Sequence, residues 1–475
     1  MKTYTGLFKK VVLSSSIISL GLIAGCSDDN DRETAQIRVI HASPDAPAVN
    51  VKLEGNESIS NLDYAESSGY LVIDAAPQDI AVEAILPGDN SDVITVDDYN
   101  FTKDSNTTII AVNNTATIEP LVAAESAVLP ASNEVAISVV HGSPDAAEVD
   151  VYVTGPTVDI NTVDANFSFD YKEVIDAGAL PADTYNITVT APGTKTVVFD
   201  SGPVDLSSFA GQKIMLIAMS TTNSIKQVAS PIKLIAATDT AQVNILDKDT
   251  TSGARVVHLS PDAGTAASGP VEVFATSTAL PGTVELIPSF SYTDIVPSLN
   301  TFAAAPAGDY VFDVAADSSG IGSSIFTSPT LSLSAGSEYT VVASGYVLTS
   351  PAFELLATED NNRSVVTQAS VKVIHAAPAA GTVDVFVTAA GEYTASDVEN
   401  GLAGNPLLKD FEYKAIEGYV AVAPGNYDIR VVAGGSTAIN VEDFNLAAGS
   451  VSSIIARGPI DSGSPSDFNV VLLTN

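Results

Sequence analysis

Tryptophan is missing from this chain and cysteine occurs once, at Cys26. A lone cysteine excludes any disulfide within the chain, so its domains must be stable through their cores alone. The lack of Trp weakens any reading as a sugar-stacking platform. Basic residues are scarce as well, with 20 Lys and Arg against 57 Asp and Glu and a net charge of −37. A surface that acidic repels nucleic acid, and no nucleic-acid partner is expected. The acid has an ordinary reading as solubility and a sharper one as divalent-cation binding. The ordinary one is favoured, since no Asp-x-Asp-x-Asp-Gly loop occurs and Asp247-Lys248-Asp249 is only a fragment of one. Past the amino terminus no apolar run approaches the roughly 18 residues of a spanning helix.

Histidine is rare too, but its four copies are not scattered. They stand in Val39-Ile40-His41-Ala42-Ser43-Pro44-Asp45, Val139-Val140-His141-Gly142-Ser143-Pro144-Asp145, Val256-Val257-His258-Leu259-Ser260-Pro261-Asp262 and Val373-Ile374-His375-Ala376-Ala377-Pro378-Ala379. The steps of 100, 117 and 117 residues are too long for a solenoid and match a small complete domain. The chain therefore reads as four tandem copies, with expected bounds 36–131, 132–249, 250–366 and 367–475.

The first 25 residues read as a signal peptide. Lys2, Lys9 and Lys10 precede an apolar stretch from Val11 to Ala24, too short to span a bilayer. Leu22-Ile23-Ala24-Gly25-Cys26 then resembles the lipobox of bacterial lipoproteins, in which the cysteine becomes the lipid-bearing first residue. Cys26 is thus the expected lipid attachment site, and two or three acyl chains would hold far more firmly than one. Ser27 after the cysteine, by the same resemblance, favours the outer membrane of a bacterium with two membranes. The acidic stretch that follows, to about residue 35, is expected to be a tether.

Each copy repeats one script. Alternating stretches at Val49 to Leu53, Val149 to Val153, Val271 to Phe274 and Val383 to Val387 have the period of half-buried strands. A Leu or Phe two positions before a tyrosine follows, at Leu62/Tyr64, Phe169/Tyr171, Phe290/Tyr292 and Phe411/Tyr413, then proline turns and further buried runs. About seven short strands in about 110 residues, without helical periodicity, define the expectation: an all-β chain of four tandem antiparallel β-sandwich domains, immunoglobulin-like, after a lipoprotein signal peptide. Polar stretches at 123–134, 236–254 and 357–369 read as linkers, so the four sandwiches are expected to form an extended rod.

The His-Ala-Ser-Pro-Asp-Ala-Pro-Ala-Val stretch at His41 to Val49, Pro-Ala-Gly-Asp-Tyr at Pro306 to Tyr310 and Tyr-Thr-Val-Val-Ala-Ser-Gly at Tyr339 to Gly345 resemble the bacterial domain of unknown function 4397. The resemblance implies a secreted or surface-attached β-sandwich array and carries no catalytic residues to transfer.

Within the motif, His41, Ser43 and Asp45 have the residue types of a hydrolase triad. Three such residues in five positions rarely make one, no Gly-x-Ser-x-Gly elbow exists, and the fourth copy has Ala377 and Ala379 instead of Ser and Asp. His41, His141, His258 and His375, with Asp45, Asp145 and Asp262, are read as a recurrent structural motif in which Pro sets the turn and Asp caps backbone. One histidine per copy is too few for zinc. The recurring tyrosines are read as core or corner residues bonding backbone. No enzyme activity, cofactor or metal is expected. The expectation is an envelope module for spacing, adhesion or contact with other envelope proteins, anchored to the membrane by lipid; the alternative is a glycan- or divalent-cation-binding surface protein using its sandwich loops.

Overall fold

The computed structural model describes residues 32–125, 128–221, 227–316, 319–459 and 468–474, so the amino-terminal segment with Cys26 lies outside the described residues. Eight β-sheets fall along the described residues in four pairs, one pair per histidine motif, and the chain is all-β with tandem β-sandwiches. In repeat 1 one sheet holds Leu71–Asp74, Thr34–His41, Asn106–Val112 and Glu119–Glu125 in that order, and the other holds Asn56–Leu62, Val49–Leu53, Pro77–Ala84 and Ser91–Asn100. Repeats 2, 3 and 4 vary this plan. Repeat 2, for example, adds Gln242–Ile245 to its first sheet.

The sandwiches are not wholly antiparallel. The first strand of each repeat runs parallel to a later strand of the same sheet, with His41 opposite Ala111, His141 opposite Ala218, His258 opposite Ala343 and His375 opposite Ala456. Alternation explains the inner face: Ile37 and Val39 pack with Val49, Val51, Ile80 and Phe101 in the repeat 1 core. It does not explain Ile40, whose side of the sheet should meet water.

That outer side is buried against the next repeat. Ile40, Ala42, Ile110 and Val112 of repeat 1 form a second core with Val140, Met215, Ile217, Met219 and Ile235 of repeat 2. Repeats 3 and 4 do the same with Val257, Leu259 and Val342 against Ile374, Ile455 and Leu473. Strands covered on both faces read as continuous apolar runs, which is why Val-Ile and Val-Val precede the histidines. At 1.5–3 kcal/mol for each large aliphatic side chain, roughly, these interfaces hold much of the fold's stability.

The extended rod is therefore replaced by two back-to-back pairs, repeats 1 with 2 and 3 with 4. The expected linkers change accordingly. Residues 123–125 complete Glu119–Glu125, residues 236–237 complete Ile232–Ala237, and residues 357–360 complete Glu354–Asp360. The segment between repeats 3 and 4 docks on repeat 1: Arg363 bonds the Ala46 carbonyl at 2.5 Å and pairs with Asp63, and the Val366 amide donates to the Asp45 carbonyl. Polar composition suggested a free linker because it cannot show that one arginine and the buried Val365 find a groove 300 residues away.

Candidate functional site: the histidine turns and the paired faces

Each histidine ends its strand buried and brackets the turn that follows. The Ser43 amide donates to His41 Nδ1 at 3.3 Å, and Nε2 lies 2.9 Å from the Pro47 carbonyl. Since Nδ1 accepts, the proton belongs on Nε2, which donates to the carbonyl; this is the neutral tautomer. His375 repeats the pattern with the Ala377 amide and the Gly381 carbonyl, and His141 bonds the Ala147 carbonyl at 3.1 Å. His258 accepts from Ser260, and a short helix, Ala263–Ala267, takes the place of the extended segment. Burial pulls His41 and His258 down to about 4 and lowers His375 as well. A ring so engaged has little left to offer a substrate proton.

The aspartates tie the turn to the loop after the parallel strand. Asp45 accepts from the Thr115 amide and hydroxyl at 2.7 and 2.8 Å, and Asp262 accepts from the Val347 and Leu348 amides. Asp145 accepts from the Ser220 hydroxyl at 3.2 Å, and Ser220 also meets Ser143. Among the described residues no Ser-His hydrogen bond with nucleophile geometry forms: Ser43 approaches His41 through its amide, while its hydroxyl is buried and unpartnered. Among the described residues no group of three or more His, Cys, Asp or Glu converges for a metal ion, and no helix is long and apolar enough to cross a membrane.

The tyrosines do reach backbone as expected, but across the seam between repeats and not inside one sandwich. Each packs edge-on against the histidine of its own repeat, with ring centroids 5.8–6.3 Å apart. Each hydroxyl then crosses to the neighbour. Tyr64 donates to the Ser220 carbonyl at 2.6 Å, and Tyr171 in return bonds Asn113. Tyr292 donates to the Gly458 carbonyl, and Tyr413 meets Ser344. The same contact made in both directions is the mark of a two-fold interface, here between covalently joined copies.

Sequence reasoning missed the charges inside these interfaces. Arg38, one percent exposed, pairs with Glu125 at 2.6 Å and reaches the Thr238 carbonyl of repeat 2 at 3.0 Å. Tyr70 and Thr108 also donate to Glu125. In the second pair Asp360 is shared by Lys372 of repeat 4 and by Arg255, 3.5 Å away, while Thr340 and Tyr419 donate to it. A signal existed. A basic residue three places before the histidine in three of the four copies, at Arg38, Arg255 and Lys372, interrupts runs that are otherwise apolar.

A chain of paired β-sandwiches with inward-turned histidines is thus defined. It belongs to the family described as Domain of unknown function (DUF4397), whose model matches residues 35–152, 136–266 and 252–386. Each matched segment contains two successive histidine motifs, so the family unit overlaps the start of the following repeat. No curated protein matches the chain. Among solved structures, similarity reaches the Bacillus anthracis TIE protein, at 8% identity and TM-score 0.17, covering 90% of this chain and 68% of that one. It also reaches a family CBM26 module of Eubacterium rectale Amy13K in complex with maltoheptaose, at 10% identity and TM-score 0.16, covering 47% and 97%. Two B repeat units of the collagen-binding protein of Staphylococcus aureus align at 9% identity and TM-score 0.11, covering 94% and 100%. Scores this low carry no argument about ligands or about the arrangement of the repeats.

Proposed function

We propose that this is a non-enzymatic lipoprotein of the bacterial cell envelope, attached through Cys26, in which the sandwich pairs space or present an interaction surface for adhesion or for other envelope proteins. The observation that carries the reading is the use of the one recurring polar motif. Histidine, aspartate and tyrosine are engaged in turns and repeat-to-repeat contacts, leaving a large acidic exterior as the surface that meets the surroundings. The lipobox-like sequence and Ser27 support export to the outer membrane.

The test has two arms. Fractionation should find the wild-type chain in detergent-extracted outer membrane and the Cys26→Ser variant in soluble fractions. Cells lacking the protein should lose attachment or an envelope partner recovered by crosslinking. A Cys26→Ser variant that stays quantitatively with membrane would overturn the anchor. Turnover of an ester, peptide or glycoside by purified protein, abolished by His141→Ala without loss of folding, would overturn the non-enzymatic reading. A glycan array run with and without Ca²⁺ addresses the alternative binding class.

A further inference from the structure

Protein interiors are close-packed, and voids larger than a water molecule are few. Repeats 2 and 3 depart from this at the same place in the fold. Between the two sheets of repeat 2 lies a cavity of about 180 Å³ lined by Val139, Val151, Phe167, Ala177 and Leu180, among others. Repeat 3 has one of about 210 Å³, lined by Ala254, Ile287, Ala303, Phe312 and Leu331 among others. In repeat 4 the corresponding space is about 30 Å³.

The difference traces to one register position. Four residues before the histidine, repeat 1 pairs Ile37 with Leu71 and repeat 4 pairs Val371 with Val420 across the sheet edge. Repeat 2 pairs Ile137 with Gly178, and repeat 3 pairs Ala254 with Ala303. A large edge side chain closes the sandwich, and a small one leaves a slot between the edge strands of the two sheets. In repeat 2 these strands are Phe167–Phe169 and Val174–Pro181; in repeat 3 they are Gly282–Phe290 and Ala303–Ala305. The exposed Asn166, and in repeat 3 the exposed Leu286, Ala304 and Pro306, stand among the lining residues, so each cavity reaches the surface at that slot.

We infer that repeats 2 and 3 each bind the hydrocarbon end of an acyl chain, inserted through the slot between edge strands with its polar head left outside. The lining suits such a guest. It is aliphatic and aromatic almost throughout, and water in such a space lacks the two to four polar partners it needs, whereas apolar cavities of this size class, near 150 Å³, take up small apolar molecules. A mouth at the surface favours an amphiphile over a wholly apolar molecule, because the head group keeps its hydration. His141 and His258 stand at the inner wall. This inference does not depend on the envelope reading.

The test is titration of full-length protein lacking its first 31 residues with decanoate, read by calorimetry and by native mass spectrometry. Two decanoates per chain are expected. Ala303→Leu, which restores the large edge residue in repeat 3, should leave one, and Ala303→Leu with Ala177→Leu should leave none, at an unchanged or raised melting temperature. Vesicles of phosphatidylglycerol give the second arm: transfer of a labelled acyl chain from them identifies phospholipid as a source, and its absence beside decanoate binding identifies free acids. Should the variants misfold, wild-type protein with labelled alanine methyls decides the matter through contacts between decanoate and the methyls of Ala254 and Ala343. Failure of decanoate to bind, binding undiminished in the double variant, or contacts confined to surface alanines would each overturn the inference.

Discussion

The two repeat pairs share one geometry and differ in charge. In the first pair, Arg38 and Glu125 come from the same repeat and balance each other, and the neighbour contributes two carbonyls and the Met215 sulfur. In the second, Arg255 and Lys372 come from different repeats and share the single carboxylate of Asp360. Repeat 2 has Ser138 where the other three have a base, so no second cation joins Arg38 from that position; Lys233 of repeat 2 lies over the Tyr64 ring instead. Burying ions is costly unless they are paired and hydrogen-bonded. The first pair meets that condition within one repeat. In the second, Arg255 likewise pairs with Asp360 inside repeat 3, and it is Lys372 of repeat 4 that finds its carboxylate only when both repeats are in place.

The largest expected effect separates pairs from repeats. Isolated repeat 2, residues 132–249, would expose Val140, Met215, Ile217, Met219 and Ile235. At roughly 1.5–3 kcal/mol each that face should drive self-association. A fragment of residues 33–249 should instead stay monomeric and melt in one transition. Calorimetry of the longer chain should resolve two cooperative units; four independent transitions would break the comparison at its base.

Next in size is Asp360→Ala. It strands two buried cations, and about 3–5 kcal/mol should be lost, as for other broken buried pairs. Glu125→Ala strands one cation that keeps the Thr238 carbonyl, and the loss should fall at or below the lower end of that range. Urea titration of the two variants measures both. Equal losses would mean that sharing one carboxylate between repeats makes no difference.

Much of this fold was legible from spacing. Period-two stretches located the strands from Val49, Val149, Val271 and Val383, and the Ser-Pro-Asp turn was visible as turn chemistry. The pairing of repeats was not legible, because period-two reasoning assigns one face of a sheet to the core and the other to water. The evidence against that lay in Ile40 and Val140, apolar on the wrong side, but an isolated exposed aliphatic residue is common enough to pass unnoticed. The tyrosines were found by recurrence and read as bonding backbone, as Tyr64, Tyr171 and Tyr292 do, but the sequence does not show which repeat receives the hydroxyl. Arg363 was beyond reach altogether: its partners Ala46 and Asp63 lie in the first repeat.

Acid should act on both pairs alike. His41 and His258 stand at about 4 when folded, held down by burial, against an ordinary value of 6.5. Between those values the unfolded chain takes up a proton that the folded chain refuses, so stability is complete above 6.5 and drains as pH falls towards 4. The difference is worth roughly 3 kcal/mol per histidine. Replacing both by Gln should flatten the loss between pH 6.5 and 4 in denaturant titrations. A slope unchanged by the double replacement would assign acid sensitivity to the carboxylates alone.

The smallest effect tests the reciprocity of the interface. Tyr64→Phe and Tyr171→Phe each remove one hydroxyl that crosses between repeats 1 and 2 while leaving the ring against its histidine. A neutral hydrogen bond contributes about 1 kcal/mol net, and more when a buried partner is stranded. Tyr64 donates to the carbonyl of the buried Ser220, whereas Tyr171 accepts from the Asn113 amide and donates to its Oδ1 at a half-buried place where water can replace both bonds. Tyr64→Phe should therefore cost the more, about 1–2 kcal/mol against about 1 kcal/mol or less. The two bonds share no partner, so the double variant should be additive to within about 0.5 kcal/mol. A coupling well above that would show that the two contacts form together, and that each repeat pair closes in a single step.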